Sequence, residues 1–182
     1  MQAILKRIFG NRDIPQDLSP EDQNKFISEN FPKWVTEFET SGFLDRTKLP
    51  PISSEGEFIQ KLQEHKNDLL VIKYWKHGCI PCLSLAEMYK NAEEYYHAES
   101  KKREEVDKKD PSSMKGEAPC SVVFYSMDTK AMTNKGHVEF QMILGTPAVL
   151  TFRHYKQWGK DIEAMNLKEF MREIDSRRGE TQ

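Results

Sequence analysis

The sequence predicts an α/β domain that follows an N-terminal helical extension. Short apolar runs that suit buried strands alternate with amphipathic helical patterns, and turns rich in Gly and Pro separate them. The strand-like runs are residues 69–75, 121–125 and 148–152. A chain of 182 residues, 37% of them hydrophobic, can bury one core with residues to spare. We therefore expect an extension at residues 1–50 and one domain at residues 51–182.

The extension contains two predicted helices. Residues 1–9 form a short amphipathic pattern that suits either a docking helix or an organelle-targeting helix. A longer helix should run from Ser19 to about Glu39, because serine caps helices and Pro20 suits the first turn. Pro32 leaves open whether this helix is split in two. An apolar stripe on it, which either covers the domain or binds a partner, consists of Phe26, Trp34, Val35 and Phe38.

The first half of the domain alternates helix and strand. An extended piece near Ile52 precedes a helix that Ser54 and Glu57 open as a capping box. The buried strand over residues 69–75 comes next. The following helix, over residues 83–96, has a pattern that extends into charged residues as far as Lys109.

The second half begins with a charged insertion over residues 99–119, whose mixed signs are typical of a solvated helix face and whose last part is rich in turns. Strands over residues 121–125 and 148–152 follow. Residues 154–160 predict a turn and the start of another strand. An amphipathic helix over residues 167–174 closes the domain.

Charge and hydropathy exclude several classes of function. The 27 basic and 29 acidic residues nearly cancel and are interspersed, so nucleic-acid binding has no electrostatic support. No apolar run approaches the roughly 20 residues of a membrane span. Three cysteines without a secretory segment argue against an extracellular disulfide framework. We expect a soluble, non-secreted protein of the cytoplasm or, given residues 1–9, the mitochondrion.

The chemistry of the chain centres on Cys79 and Cys82. Two thiols at this spacing can close a small disulfide and reopen it by thiolate exchange. They lie between a buried strand and a helix, so the helix N-terminus favours a thiolate on Cys79. We expect Cys79 to be the exposed attacking thiol and Cys82 to resolve the mixed disulfide.

These residues resemble the thioredoxin superfamily. A strand that ends in Tyr-Trp, three further residues, the Cys-Ile-Pro-Cys motif and a helix are similar to the active-site segment of that family. Residues 144–152, Leu-Gly-Thr-Pro-Ala-Val-Leu-Thr-Phe, resemble the segment in which a cis proline faces the dithiol. The resemblance covers about residues 51–176 and implies a three-layer α/β/α sandwich with a mixed central sheet.

The resemblance also implies a function and a substrate site. It implies a thiol-disulfide oxidoreductase, in particular a protein-disulfide reductase, that needs no cofactor and no metal. Pro147 is the candidate cis proline, and Thr146 would present its backbone to a peptide of the substrate. Trp75 is a further candidate for the substrate site, although packing that braces the active-site loop also explains it.

Two positions depart from the family pattern. Lys73 stands where the family usually keeps a buried aspartate, and Gly78 replaces the usual tryptophan before the first cysteine. An ammonium near the thiols would favour the thiolate, whereas a shift of register would point Lys73 to solvent. His77, two residues before Cys79, would also help to hold a thiolate when protonated, unless it is merely exposed.

Two alternatives use the same residues differently. The protein could be an accessory subunit of a larger, mitochondrial assembly, docked through residues 1–48 and the charged insertion, with a vestigial or regulatory dithiol. Zinc would need Cys79, Cys82, Cys120 and a histidine, but a second closely spaced pair is absent from the sequence. We therefore expect no metal and interpret Cys120 as a small buried hydrophobe.

Overall fold

The computed structural model describes residue 15, residues 17–109 and residues 119–179. The amphipathic pattern predicted for residues 1–9 and the turn-rich part of the charged insertion therefore lie outside the described residues. Among the described residues, no helix combines the length and the apolar character that crossing a membrane requires.

The chain divides into two compact units between Lys48 and Leu49. This boundary is two residues earlier than predicted. The reason is that Leu49 and Pro50 belong to the second unit: the hydroxyl of Ser126 donates to the Leu49 carbonyl at 3.2 Å, and its N–H donates to the Pro50 carbonyl at 2.8 Å.

The first unit contains helix α1 (Pro20–Thr40) and helix α2 (Phe43–Arg46). Ser19 caps α1, and its side chain accepts a hydrogen bond from the Asp22 N–H at 3.2 Å. Pro32 lies inside α1, which remains one helix.

The second unit contains five α-helices, one 3₁₀ turn and four strands among the described residues. The helices are α3 (Glu55–Glu64), α4 (Ile80–Ser84), α5 (Ala86–Lys109), α6 (Lys135–Phe140) and α7 (Leu167–Gly179), and the 3₁₀ turn Met132–Asn134 precedes α6. The strands are β1 (Leu69–Trp75), β2 (Val122–Asp128), β3 (Ala148–Arg153) and β4 (Lys156–Gln157).

The four strands form one mixed sheet in the order β2-β1-β3-β4. β1 pairs with β2 in parallel, whereas β1 with β3 and β3 with β4 are antiparallel. Pro51 adds a single parallel bridge to Ser126, which extends the sheet beyond β2 at the predicted extended piece. The mixed sheet agrees with the expectation from the resemblance.

Helices cover both faces of the sheet because alternate side chains of β1 point to opposite sides. Leu69 and Val71 belong to a core cluster with the buried faces of α5 and α7. Leu70 and Ile72 belong to a second cluster, which includes Phe58 of α3. The predicted α/β/α layering is therefore confirmed.

The helices of the second unit differ from the sequence prediction in where they begin and in their number. The helix after β1 begins at Ile80, three residues earlier than predicted, because Cys79 itself caps it. The pattern then continues as α5 to Lys109. Helix α6 was not predicted, since six residues are too few to establish a period.

Candidate active site

A short loop carries the chain from the end of β1 to the dithiol. β1 ends at Trp75, and Gly78 adopts a φ of +70°, in the left-handed region that favours glycine. The loop therefore gives a conformational reason for glycine at the position where the family usually has tryptophan. Cys79 follows as the residue that caps α4.

Cys79 and Cys82 are joined by a disulfide, with their Cα atoms 5.2 Å apart. The Cys82 N–H points at the Cys79 sulfur, 3.3 Å away, as expected at the start of a helix. This donor favours negative charge on that sulfur when the pair is reduced. The expected exposure of Cys79 is wrong: its exposed fraction is 5%, and that of Cys82 is 3%.

The reason for this burial is the segment before β3. The peptide bond between Thr146 and Pro147 is cis. The Thr146 hydroxyl and carbonyl oxygens each lie 3.4 Å from the Cys79 sulfur. A disulfide sulfur carries no hydrogen, so in this state the hydroxyl is the donor. In the reduced protein a thiol could donate to the carbonyl, whereas a thiolate would accept from the hydroxyl.

Comparison with solved structures decides the fold. No model of a known protein family matches the sequence, and no curated protein matches it. Mitochondrial thioredoxin 3 from Saccharomyces cerevisiae, in its oxidised form, superposes with a TM-score of 0.51 and 15% identity over 72% of this chain and 97% of that chain. A chain in the complex of ferredoxin:thioredoxin reductase and thioredoxin f2 gives 0.53 and 15% over 73% and 97%. The chain has the thioredoxin fold.

Within this thioredoxin fold, Lys73 points into the interior. Its exposed fraction is 9%, and its ammonium nitrogen lies 5.0 Å from the centre of the Tyr89 ring. Burial lowers the pKa of Lys73 to about 8. Of the two predicted orientations, the structure therefore has the inward one. The sequence does not reveal the contact between Tyr89 and Lys73, because this contact depends on how α5 crosses the sheet.

Trp75 and His77 lie next to each other at the entrance of the loop. Their rings are edge to face, 5.0 Å apart, with Trp75 half-buried and His77 exposed. The Thr129 N–H donates to the Trp75 carbonyl at 2.9 Å, which fixes the end of β1. The ring contact with His77 in the loop supports the bracing interpretation of Trp75. Roles in substrate binding for Trp75 and in holding a thiolate for His77 stay predictions.

Cys120 lies far from the dithiol. It precedes β2, whose first residue pairs with the first residue of β1, whereas Cys79 follows the far end of β1. Seven strand residues separate these edges by about 20 Å. A zinc site that includes Cys79 and Cys120 is therefore wrong, and the described residues contain no cluster that could hold a metal. Cys120 is half-buried against the core, and burial raises the pKa of its thiol.

An exposed apolar surface leads from α6 to the dithiol. Phe140, Met142 and Leu144 have exposed fractions of 81%, 77% and 98%, and Leu144 lies two residues before Thr146. No role was predicted for these residues from the sequence. Large apolar side chains outside any strand or helix pattern were the available signal, because such residues are normally buried.

Proposed function

We propose that the protein is a thiol-disulfide oxidoreductase that reduces disulfides of protein substrates through Cys79 and Cys82. The observation that carries this proposal is the set of donors around the Cys79 sulfur. The Cys82 N–H and the Thr146 hydroxyl both point at it, at 3.3 and 3.4 Å. Hydrogen bonds to a charged acceptor are stronger than neutral ones, so this arrangement stabilises the attacking thiolate.

The reaction follows from thiolate exchange. The Cys79 thiolate attacks one sulfur of the substrate disulfide, a Cys79–substrate bond forms, and the other substrate sulfur leaves as a thiolate. The Cys82 thiolate then attacks the Cys79 sulfur, which restores the disulfide and releases the second substrate thiolate. Two electrons pass to the substrate, and an external thiol reductant must reduce the pair again.

The surface beside Thr146 favours a protein over a small disulfide. Cys79 is 5% exposed, so a substrate must bring its disulfide close to the loop. Leu144, two residues before Thr146, offers apolar area there, and such area is typical of protein contacts. An extended segment of a substrate could bind along the backbone of Thr146 and place its neighbouring side chains on this surface.

Turnover of a protein disulfide tests the proposal. With dithiothreitol as reductant, the wild-type protein should accelerate reduction of insulin, and Cys79→Ser should abolish the acceleration. Reduced Cys82→Ser, mixed with insulin after dithiothreitol has been removed, should instead accumulate a mixed disulfide with the substrate, because the resolving thiol is missing. Cys120→Ser is the matched control and should retain activity. Equal rates with and without wild-type protein would overturn the proposal.

The alternative role as an accessory subunit stays a prediction. No contact among the described residues specifically favours docking through residues 1–48 or the charged insertion, and a mitochondrial location likewise stays a prediction. Native size in a cell extract tests the alternative, because a species near the monomer mass of 21.3 kDa would contradict it.

A further inference from the structure

The buried ammonium of Lys73 has no ion-pair partner among the described residues. Its contact there is the face of the Tyr89 ring, 5.0 Å from the nitrogen. A buried charge without a counter-charge is unfavourable, and a cation–π contact offsets only part of this cost. The thioredoxin fold here therefore contains a cation that the disulfide form does not neutralise.

Cys82, the second cysteine of the dithiol, lies on the same side of the sheet as the Lys73 ammonium. Lys73 follows Leu69 and Val71 on the face of β1 that α5 covers. Cys82 and Tyr89 are seven residues apart, about two helical turns, and both are buried. Hydrogen bonds from the Leu85 N–H to Pro81 and from the Tyr89 N–H to Leu85 keep this spacing helical across the junction of α4 and α5.

The direction of helical side chains brings the two groups closer. A long side chain on a helix leans toward the helix N-terminus and covers the turn before its own Cα. The Tyr89 ring is therefore displaced from its own Cα toward Cys82, and the Lys73 ammonium lies over that ring. Tyr89, which the ammonium contacts, and Cys82 are about 10 Å apart along the helix, a separation at which charges interact in a protein interior.

We propose that Lys73 is the buried counter-charge of the dithiol: its ammonium stabilises the thiolate of the reduced protein, lacks an anionic partner among the described residues in the disulfide form, and so shifts the redox equilibrium toward the dithiol. This inference rests on the proposed function and concerns the equilibrium between the disulfide and the dithiol form. Reduction adds two electrons and one proton to the disulfide and leaves one thiol and one thiolate. A small dithiol that supplies the electrons becomes a disulfide itself.

Other charged groups near Lys73 are present in both the disulfide and the dithiol form. On α5, burial and the nearby Asp161 raise the pKa of Tyr89, which keeps this phenol neutral. Asp161 accepts from the N–H of Val149, the β3 partner of Lys73, at 2.6 Å, and burial raises the pKa of its carboxyl. On α7, Arg177 donates to the hydroxyl of Thr151 on β3 at 2.8 Å. These groups affect the value of the reduction potential. The new negative charge on reduction comes from the dithiol itself.

The stabilisation of the thiolate by Lys73 depends on pH in a definite direction. Burial lowers the pKa of Lys73 to about 8 in the disulfide form, so the ammonium predominates at pH 7. A thiolate nearby favours the ammonium, so in the reduced protein Lys73 should lose its proton at a higher pH. The stabilisation exists while thiolate and ammonium coexist and disappears where the amine is neutral in both forms.

Redox equilibrium with dithiothreitol at pH 7 tests the proposal. Lys73→Met, which keeps the apolar stem, should shift the equilibrium about tenfold toward the disulfide, equivalent to about 30 mV for two electrons. Lys76→Met, an exposed lysine in the loop before Cys79, is the control and should shift it less than twofold. A Lys73→Met equilibrium within twofold of wild type, or a shift that Lys76→Met matches, would overturn the proposal.

A second measurement uses the wild-type protein and so does not depend on the folding of a variant. The ¹³Cε signal of Lys73, titrated by NMR in the disulfide and reduced forms, should move to a midpoint about one pH unit higher on reduction. Identical midpoints would contradict the proposal. Both measurements use a small dithiol and so do not depend on a protein substrate. If the protein reduces insulin but Lys73 is not coupled to the redox state, only the inference is refuted. If Lys73 is coupled but insulin is not reduced, only the proposed function is refuted.

Discussion

The Thr146 hydroxyl oxygen lies 3.4 Å from the Cys79 sulfur, although 67 residues separate the two in the sequence. β3 runs antiparallel to β1, and Tyr74 near the end of β1 pairs with Ala148 at the start of β3. The sheet therefore places the loop after β1 against the loop before β3. A polar donor thus reaches the Cys79 sulfur from an element that is remote in sequence.

This contact predicts that Thr146→Val slows the chemistry of Cys79. Valine keeps the shape of threonine but cannot donate to a thiolate, and a hydrogen bond to a charged group contributes about 1.5–3 kcal/mol. We expect alkylation of the reduced protein by iodoacetamide at neutral pH to slow by about tenfold. Thr146→Ser, which retains the hydroxyl, should react at close to the wild-type rate. Equal rates for all three proteins would show that the hydroxyl does not stabilise the thiolate.

The exposed surface beside the dithiol predicts a substrate-specific defect. Leu144 is 98% exposed, so Leu144→Asp should leave folding unchanged while it removes apolar contact area for a protein substrate. We expect kcat/KM for insulin to fall by about tenfold and the rate with a small aromatic disulfide to stay within twofold. Tyr155→Asp, also exposed but at the turn between β3 and β4 on the opposite edge, is the control. A parallel loss with both substrates would contradict docking at this surface.

Strand periodicity and the Cys-Ile-Pro-Cys motif were sufficient to predict the sheet and the place of the dithiol. β1, β2 and β3 each contain a predominantly apolar run, and the two cysteines are local in sequence. The burial of Cys79 could not be predicted in the same way, because it depends on Thr146, which the sheet brings across from β3. The inward direction of Lys73 likewise depends on Tyr89, whose ring offers a partner only after α5 packs on the sheet.

The charged insertion shows the same limit of sequence reasoning. Its mixed signs predicted a solvated helix face, yet Glu99 accepts a hydrogen bond from Arg178 of α7 at 2.8 Å and also pairs with Arg103. Arg178 is 8% exposed and lies over the Tyr96 ring. An ion pair between distant helices leaves no periodic signature in either helix. The first turns of the insertion are therefore joined to the domain.

The Glu99 pair predicts a loss of stability in acid. Burial acts to raise the pKa of Glu99, but the hydrogen bonds from Arg178 and Arg103 outweigh it and hold the pKa below the ordinary value of 4.5. Because the folded-state pKa is lowered, the contribution is complete above the unfolded pKa and is lost as pH falls through the folded pKa. At pH 7, Glu99→Gln should lower the free energy of unfolding by about 1–3 kcal/mol. Below pH 4 the difference from wild type should shrink.

Chemical denaturation at pH 7, 5 and 3.5 measures this effect. Glu104→Gln is the matched control, because Glu104 is exposed on the same helix, and it should change stability by less than about 0.5 kcal/mol. A difference between Glu99→Gln and wild type that stays constant down to pH 3.5 would mean that the carboxylate charge contributes nothing.

A buried histidine on the other face of the sheet predicts a second pH window. His137 of α6 is 2% exposed, its Nε2 lies 2.8 Å from the Tyr74 hydroxyl, and its ring is 4.2 Å from that of Phe58. Burial lowers the pKa of His137 below 6.5, against a smaller opposite effect of Glu55. Below pH 6.5 the unfolded chain therefore binds more protons than the folded protein, so stability falls as pH drops from 6.5 toward the folded-state pKa.

Two variants separate the titration of His137 from its hydrogen bond. Denaturation between pH 7.5 and 5 should show a slope of at most about 1.4 kcal/mol per pH unit for this group. His137→Gln can still bond the Tyr74 hydroxyl but cannot titrate, so it should flatten the slope. Tyr74→Phe leaves the imidazole without its partner and should lower stability by about 1–3 kcal/mol at pH 7.5, while the slope remains. If His137→Gln keeps the wild-type slope, the stability in this window depends on a group other than His137.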